Sequence, residues 1–360
     1  MTKTVAVGLS GGLDSTLTAL LLQEQGYHVI GLTMSIYNKD IANLKAAGNA
    51  CYGSTEKQDI LNVREWGKEH NIDVHILDCS EEYKQIVLSY FKESYLSGIT
   101  PNPCVKCNET MKFGVMCDKA LAQGIQFDYF ATGHYARITK RNEKYVLQKG
   151  IDEKKDQSYF LYRLSQKQLS RLLLPLGSFT KEEVRKMARD RGLAVADKAD
   201  SQDFYNGDYA DLLEQAPKVG DIVHTNGRVL GKHIGFWHYT IGQRRGLGIA
   251  YPVPLYVVDI DAEQNQVIVG EVESTFVSKT TICSVVWNGL ETQLQTPLTV
   301  GVKYRSAGKV VPAIIEQKAE NELLVSFETP QRSVTRGQSL VIYDKNENDG
   351  ISVLGGGIIK

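Results

Sequence analysis

The most constraining stretch is Ser10-Gly11-Gly12-Leu13-Asp14-Ser15-Thr16, which follows the apolar run Val5 to Leu9 and opens a helical pattern from about Ser15 to Gln25, with Gly26 as its stop. Two adjacent glycines let main-chain amides approach an anion closely. A helix N-terminus adds the positive end of its dipole, and Ser10, Ser15 and Thr16 add hydroxyl donors. Such a turn suits a pyrophosphate, and it makes Gly8, Leu9, Ser10, Gly11, Gly12, Leu13, Asp14 and Ser15 the candidate phosphate contacts. There is no GxxxxGK[ST] lysine, as in kinase and GTPase loops, and no GxGxxG dinucleotide fingerprint. A carboxylate beside phosphates acts chiefly through Mg2+, which is the role expected of Asp14. The structural alternative is an ordinary strand-to-helix turn capped by Ser or Asp.

The pattern after that turn stays α/β. His28 to Met34, Val74 to Leu77 and Phe127 to Thr132 read as strands, with helices near Gln58 to His70, Glu82 to Tyr95 and Met111 to Gln123. Such an alternation implies a parallel sheet covered on both faces, with ligands at the carboxyl ends of its strands. From Ser158 to about Ala199 the pattern turns helical, with Thr180 and Glu183 as a capping box. After Tyr209 come short β-rich runs, among them Tyr256 to Ile260, Gln266 to Gly270, Leu323 to Phe327 and Leu340 to Tyr343. Boundaries near 206 and 272 divide the 360 residues into three domains, 1–205, 206–271 and 272–360.

Composition narrows the partners. No apolar run is long enough to span a bilayer and the N-terminus passes directly into a strand, so a cytoplasmic protein with no membrane partner is expected. Six cysteines in such a chain suggest thiol chemistry or burial rather than a disulfide framework. A net charge of −1 gives no global attraction to polyanions, so a nucleic acid needs a local basic face. One candidate is Arg163 to Lys198, where nine Lys or Arg stand against four acids; a solvated helix surface is the alternative.

Further segments carry a resemblance. They are Thr100-Pro101-Asn102-Pro103-Cys104-Val105-Lys106-Cys107-Asn108 followed by Lys112-Phe113-Gly114, Ala131-Thr132-Gly133-His134-Tyr135-Ala136-Arg137, Lys155-Asp156-Gln157-Ser158-Tyr159-Phe160-Leu161, Gly242-Gln243-Arg244-Arg245-Gly246-Leu247-Gly248, and Leu354-Gly355-Gly356-Gly357. The turn at Ser10 resembles the pyrophosphate-loop ATPase superfamily. Taken in order from Val5 to Ile359, the chain resembles the bacterial tRNA-specific 2-thiouridylases. That resemblance implies a parallel-sheet pyrophosphate-loop domain, a small central β-rich domain and a C-terminal β-barrel. It also implies the substrates: Mg2+ and ATP, the anticodon loop of tRNAs for Lys, Glu and Gln, and a sulfur-donor protein.

The implied reaction adenylates O2 of the wobble uridine, turning a poor leaving group into part of AMP, and then delivers sulfur to C2. By position, Cys107 matches the cysteine nucleophile, and Asn102, Pro103 and Cys104 match the segment that holds the target base. Gly8 to Ser15, Met34 and Gly133 match ATP contacts. His134, Lys155, Asp156, Gln157, Tyr304, Arg305 and Gln338 match positions that meet tRNA or the flipped base. A helix N-terminus or Lys106 would lower the Cys107 thiol pKa. Arg244 and Arg245 either grip phosphates or are solvated.

The sequence departs from the family where a second cysteine normally follows the helical region. Here Asp200-Ser201-Gln202-Asp203-Phe204-Tyr205-Asn206 puts tyrosine at that place, and a phenol can neither carry nor resolve a persulfide. Tyr52 follows Cys51 where a second cysteine is often seen, and Arg336 stands where proline is common. Three readings stay open: Cys104 and Cys107 act as a pair; Cys51, Cys104 and Cys107 hold a 4Fe–4S cluster; or the chain binds tRNA and ATP without thiolating. A pyrophosphate-loop ligase using ammonia is the remaining rival, but it leaves the Cys-x-x-Cys idle.

Overall fold

A computed structural model describes residues 2–37, 50–53, 55–198, 204–288, 294–344 and 351–360. Strand β1 (Thr4–Gly8) is flanked by β2 (His28–Ser35) and, beyond it, β3 (Asp73–Asp78); on its other side lies β4 (Tyr129–Ala131). All these pairings are parallel. Helix α1 (Leu13–Glu24) and helix α2 (Glu56–Glu69) provide crossovers. Val5, Ala6, Val7 and Leu32 are wholly buried, as expected for strands covered on both faces.

Two features of this domain were not anticipated. A hairpin of β5 (Ala136–Arg141) and β6 (Lys144–Lys149) follows β4, and the two-residue β7 (Leu172–Leu173) adds a fifth parallel strand beside β4. Both are short or largely solvent-facing, so they lack a strong apolar period. The expected helical stretch after Ser158 is instead a chain of short turns, Ser158–Phe160, Gln166–Leu169 and Pro175–Ser178, before a full helix at Lys181–Asp190. Pro175 and a close approach of Gly177 to the Ala136 carbonyl break the helix there. The Thr180–Glu183 capping box is present in both directions. Residues 199–203, which include the end of that stretch and Asp200 to Asp203, lie outside the described residues.

The central unit is a four-stranded sheet of order β10-β11-β8-β9, with β8 (Gly220–His224), β9 (Val229–His233), β10 (Tyr256–Asp261) and β11 (Gln266–Gly270). The C-terminal strands β12 (Phe276–Trp287), β13 (Leu298–Lys303), β14 (Val311–Ala319), β15 (Glu322–Arg332), β16 (Ser339–Tyr343) and β17 (Val353–Ile359) close an antiparallel barrel. Gly356 in β17 has the Tyr162 ring where a side chain would sit, and the Tyr162 hydroxyl reaches Ser339 Oγ at 3.2 Å, so the N-terminal domain packs directly on the barrel wall. Among the described residues no helix is long and apolar enough to cross a membrane.

The basic stretch from Arg163 to Lys198 is largely neutralised from within. Arg163 pairs with Glu109, Lys181 with Asp14, Lys186 with Asp190, Arg189 with Asp197 and Arg191 with Glu24. Arg171 and Arg185 are spent on backbone carbonyls. As a free cationic face for RNA this stretch is a poor candidate, because most of its cations are already matched by acids or carbonyls, Arg163, Lys181 and Arg191 by acids distant in the sequence.

Candidate active site

At the end of β1 the chain turns through Ser10 to Gly12 into α1. Gly11 has φ +70°, a left-handed conformation that glycine adopts without strain, and Val63 lies where its side chain would be. Ser15 Oγ accepts from the Ser10 amide at 3.3 Å and donates to the Gly12 carbonyl at 3.1 Å. The turn is thus held by its own hydroxyl while the first amides of α1 have no intrahelical acceptor, which is the geometry that receives an anion. Leu9 and Leu13 are buried, so only their backbone can serve a ligand. Met34 is half-buried near the carboxyl end of β2.

Asp14 is not poised for a metal. Its carboxylate accepts from Lys181 Nζ at 2.7 and 2.9 Å and from the Tyr135 hydroxyl at 2.9 Å, and the Lys181 ammonium also lies 5.4 Å from the Tyr135 ring centre. This network ties the first turn of α1 to the Lys181–Asp190 helix, so the expected Mg2+ role finds the carboxylate already engaged. Neither Lys181 nor Tyr135 was a site candidate from sequence, although Tyr135 stands in the Ala131–Arg137 segment and Lys181 follows the Thr180 cap within the basic stretch. Gly133 lies against the same turn, and a Cβ there would sit 2.7 Å from the Asp14 carbonyl carbon.

The thiols sit on a helix that begins with Asn102 as cap, its side chain accepting from the Val105 amide at 3.2 Å, and Pro103 at the first position. Segments Pro103–Lys106, Cys107–Val115 and Met116–Ala122 run on continuously, and the middle one has π-helical hydrogen bonding. Bonding from i to i+5 carries Lys112 round toward the face of Cys107. Burial pushes the Cys107 thiol up to about 11, and the Lys112 charge offsets only part of this. The expectation of a low pKa therefore fails: Cys107 lies within the helix rather than at its end, and Lys106 has no part in the shift.

Three cysteines converge on one phenol. Tyr83 is buried, and its ionisation is opposed first by burial and then by the neighbouring Cys107, Cys51 and Cys104 thiols. Its ring stacks on Tyr52 at 5.5 Å, and Tyr52 in turn contacts Tyr37. Cys51 is exposed, whereas Cys104 and Cys107 are half-buried. Among the described residues no group of three His, Cys, Asp or Glu is placed to hold a metal ion, so the Cys51, Cys104 and Cys107 set does not fit an iron–sulfur cluster. Tyr205 is buried in the wall nearby. The Tyr52 amide donates to the Phe204 carbonyl at 2.9 Å, and the Tyr205 hydroxyl donates to Asp211 at 3.1 Å.

The segment Thr132 to His134 joins the two halves of the site. Gly133 touches the phosphate turn, while His134 contacts the ring of Phe113, on the cysteine helix, at 5.9 Å and is hydrogen-bonded through Nδ1 to Thr132. Burial, with help from Lys112, holds the His134 pKa well below the usual imidazole value, so the ring is neutral. The barrel closes the other side: Gln338 donates to the Thr100 and Pro101 carbonyls at 3.1 and 2.9 Å, and the Thr100 amide donates to the Arg336 carbonyl. Gln338 therefore holds the Thr100–Pro103 segment, and Arg336 joins Asp259 and the Ile260 carbonyl in β10.

The remaining candidates divide. Lys155 is half-buried. Asp156 is a correction: its side chain is enclosed, accepts from the Gly150 and Ser158 amides and lies 3.9 Å from Lys303, leaving no face for RNA. Gln157 accepts from the Tyr135 amide at 2.9 Å, which supports the hydroxyl bound to Asp14. Tyr304 is mostly buried and donates to Gln331, with exposed Arg305 over its ring.

Three family models match in order: the tRNA methyl transferase HUP domain over residues 3–205, the tRNA methyl transferase PRC-barrel domain over 211–271, and the aminomethyltransferase beta-barrel domain over 277–359. A tRNA-specific 2-thiouridylase MnmA of Endomicrobium trichonymphae is 44% identical over 360 residues, covering 99% of this chain and 98% of the relative. Proteins of the same description from Acetivibrio thermocellus and Clostridium acetobutylicum are 43% and 40% identical, with 99% and 100% of each chain covered.

Proposed function

The chain belongs to the tRNA-specific 2-thiouridylase family, and on that premise we propose that it uses ATP to adenylate O2 of a wobble uridine in tRNA and then places sulfur on C2. The observation that carries this reading is the three-residue segment Thr132–His134, whose Gly133 abuts the phosphate turn while His134 abuts the cysteine helix. A nucleotide held at Ser10 to Ser15 and a base held before Cys107 would then share one site. ATP supplies the activation that makes the uridine oxygen leave. The Ser10–Gly12 turn and the free amides of α1 hold its phosphates, and Gly133 leaves the room they need.

Sulfur transfer falls to the Cys104 and Cys107 pair. A donor protein leaves a persulfide on Cys107, and its terminal sulfur attacks C2 as AMP departs with the oxygen. The Cys104 thiolate then attacks the Cys107 sulfur; the sulfur–sulfur bond breaks, and its electron pair stays with the sulfur now on the base. A Cys104–Cys107 disulfide remains, and a dithiol reductant resets it. Tyr205 takes no part, since a phenol can neither carry nor resolve a persulfide, and its hydroxyl is engaged by Asp211. The second reading, tRNA and ATP binding without thiolation, is favoured by that same tyrosine.

The test is direct. Protein, ATP, Mg2+, a sulfur-donor system, a dithiol reductant and unmodified tRNA are combined, and 2-thiouridine is sought by mass spectrometry. Sulfur incorporation that vanishes in Cys107→Ala and persists in Cys79→Ala supports the enzyme. Pyrophosphate release with no thiouridine supports a failed second step, and neither product from a protein that binds tRNA supports the binding reading.

A further inference from the structure

The turn at Gly242–Gly248 is built but not used by the site described above. Gly242, Gly246 and Gly248 have φ of +89°, +77° and +67°, and the Gln243 side chain locks the loop between them: Oε1 accepts from the Thr240 amide at 3.0 Å and Nε2 donates to the Arg245 carbonyl at 2.9 Å. Its backbone is also pinned to β10, with Gly242 donating to the Val257 carbonyl and Val257 to the Gln243 carbonyl. This rigid turn presents Arg244 and Arg245 to solvent, and neither guanidinium has an ion pair or side-chain hydrogen bond with any described residue. The contrast with Arg163 to Lys198, where most cations are satisfied internally, is direct.

Beside Arg244 lies a cavity of about 450 Å³ lined by Leu247, Ile249, Tyr251, Pro252 and Leu255. A lining of mixed polar and apolar surface with a guanidinium at the rim matches an unstacked nucleotide with its phosphate. The turn is also linked, through the barrel, to the segment ahead of the cysteine helix. Ser333 occupies the space beside Gly242, and three residues further on Arg336 joins β10 to the Thr100 backbone.

We propose that Arg244, Arg245 and the adjoining cavity form an RNA-backbone site that anchors a nucleotide of the tRNA other than the target uridine. This rests on tRNA being the substrate. A locked loop loses little entropy when it grips phosphates, and two unpaired guanidiniums give up no internal partner.

The test measures binding of unmodified tRNA to full-length protein across a salt series, for Arg244→Gln, Arg245→Gln and, as a control elsewhere on the central sheet, the exposed Arg228→Gln. Each loop variant is expected to weaken binding about fivefold and to lower the slope of log affinity against log salt by about one. The control and the thiolation rate at saturating tRNA should not move. Wild-type affinity and slope in both loop variants would overturn the assignment, as would an equal loss in the control. A wild-type protein that binds no tRNA would overturn the proposed function as well. Circular dichroism and thermal midpoints matching wild type confirm that the variants are folded.

Discussion

The phosphate turn and the cysteine helix face each other across Gly133 and His134, yet they are specified in different ways. The turn depends on backbone geometry, held by Gly11 at positive φ and by Ser15 bonding within six residues of sequence. The thiol site depends on groups from four separated segments, around Cys51, Tyr83, Cys107 and Phe204, and its chemistry follows from burial. A local motif can prescribe the first. The second tolerates a missing cysteine only if other groups in the assembled pocket take over its work.

The largest expected effect separates the two regions. Cys107→Ser should lower thiouridine formation by about a thousandfold or more while pyrophosphate release stays within about twofold of wild type, since only the proposed nucleophile is lost. Retained sulfur transfer would break the comparison. The converse is Gly133→Val, whose side chain would collide with the Asp14 backbone. Pyrophosphate release should fall about a hundredfold, with the alkylation of Cys107 by iodoacetamide unchanged.

Restoring the family pattern is the next test. Tyr205→Cys removes a buried ring and its bond to Asp211, so a loss of about 2 kcal/mol is expected, read as a lower denaturant midpoint at unchanged slope. Thiolation should stay within about twofold; a large gain would show that the pair at 104 and 107 is not the working one.

The smallest effect is a pH profile. With its thiol raised to about 11, Cys107 should alkylate faster through pH 9 and beyond instead of levelling off near neutrality, and Lys112→Met should move the curve further up. The sign for stability follows: a raised thiol pKa favours the folded state fully below pH 9, and that contribution is lost as pH climbs through about 11. A plateau in alkylation below pH 8 would show that the cysteine is less buried than its surroundings indicate.

Much of this was legible in the residues themselves. The parallel strands, the turn after β1, the Thr180–Glu183 cap and the late β-rich modules follow from apolar period and turn chemistry, which act over a few residues. The hairpin after β4 escaped because its strands are largely solvent-facing and polar, and β7 because two residues carry no period. The pairing of Asp14 with Lys181, the enclosure of Asp156 and the raised Cys107 thiol escaped for another reason: each is set by residues far apart in the chain.

The chain's own order of residues determined where an anion can be gripped, which cysteines share a helix, and where tyrosine replaces a thiol, because backbone conformation and side-chain identity are local properties. Only the tertiary structure decided which carboxylates are free, which cations are already matched and how acidic a thiol is. Those quantities depend on solvent exclusion and on distances between segments, and neither exists until the chain has folded.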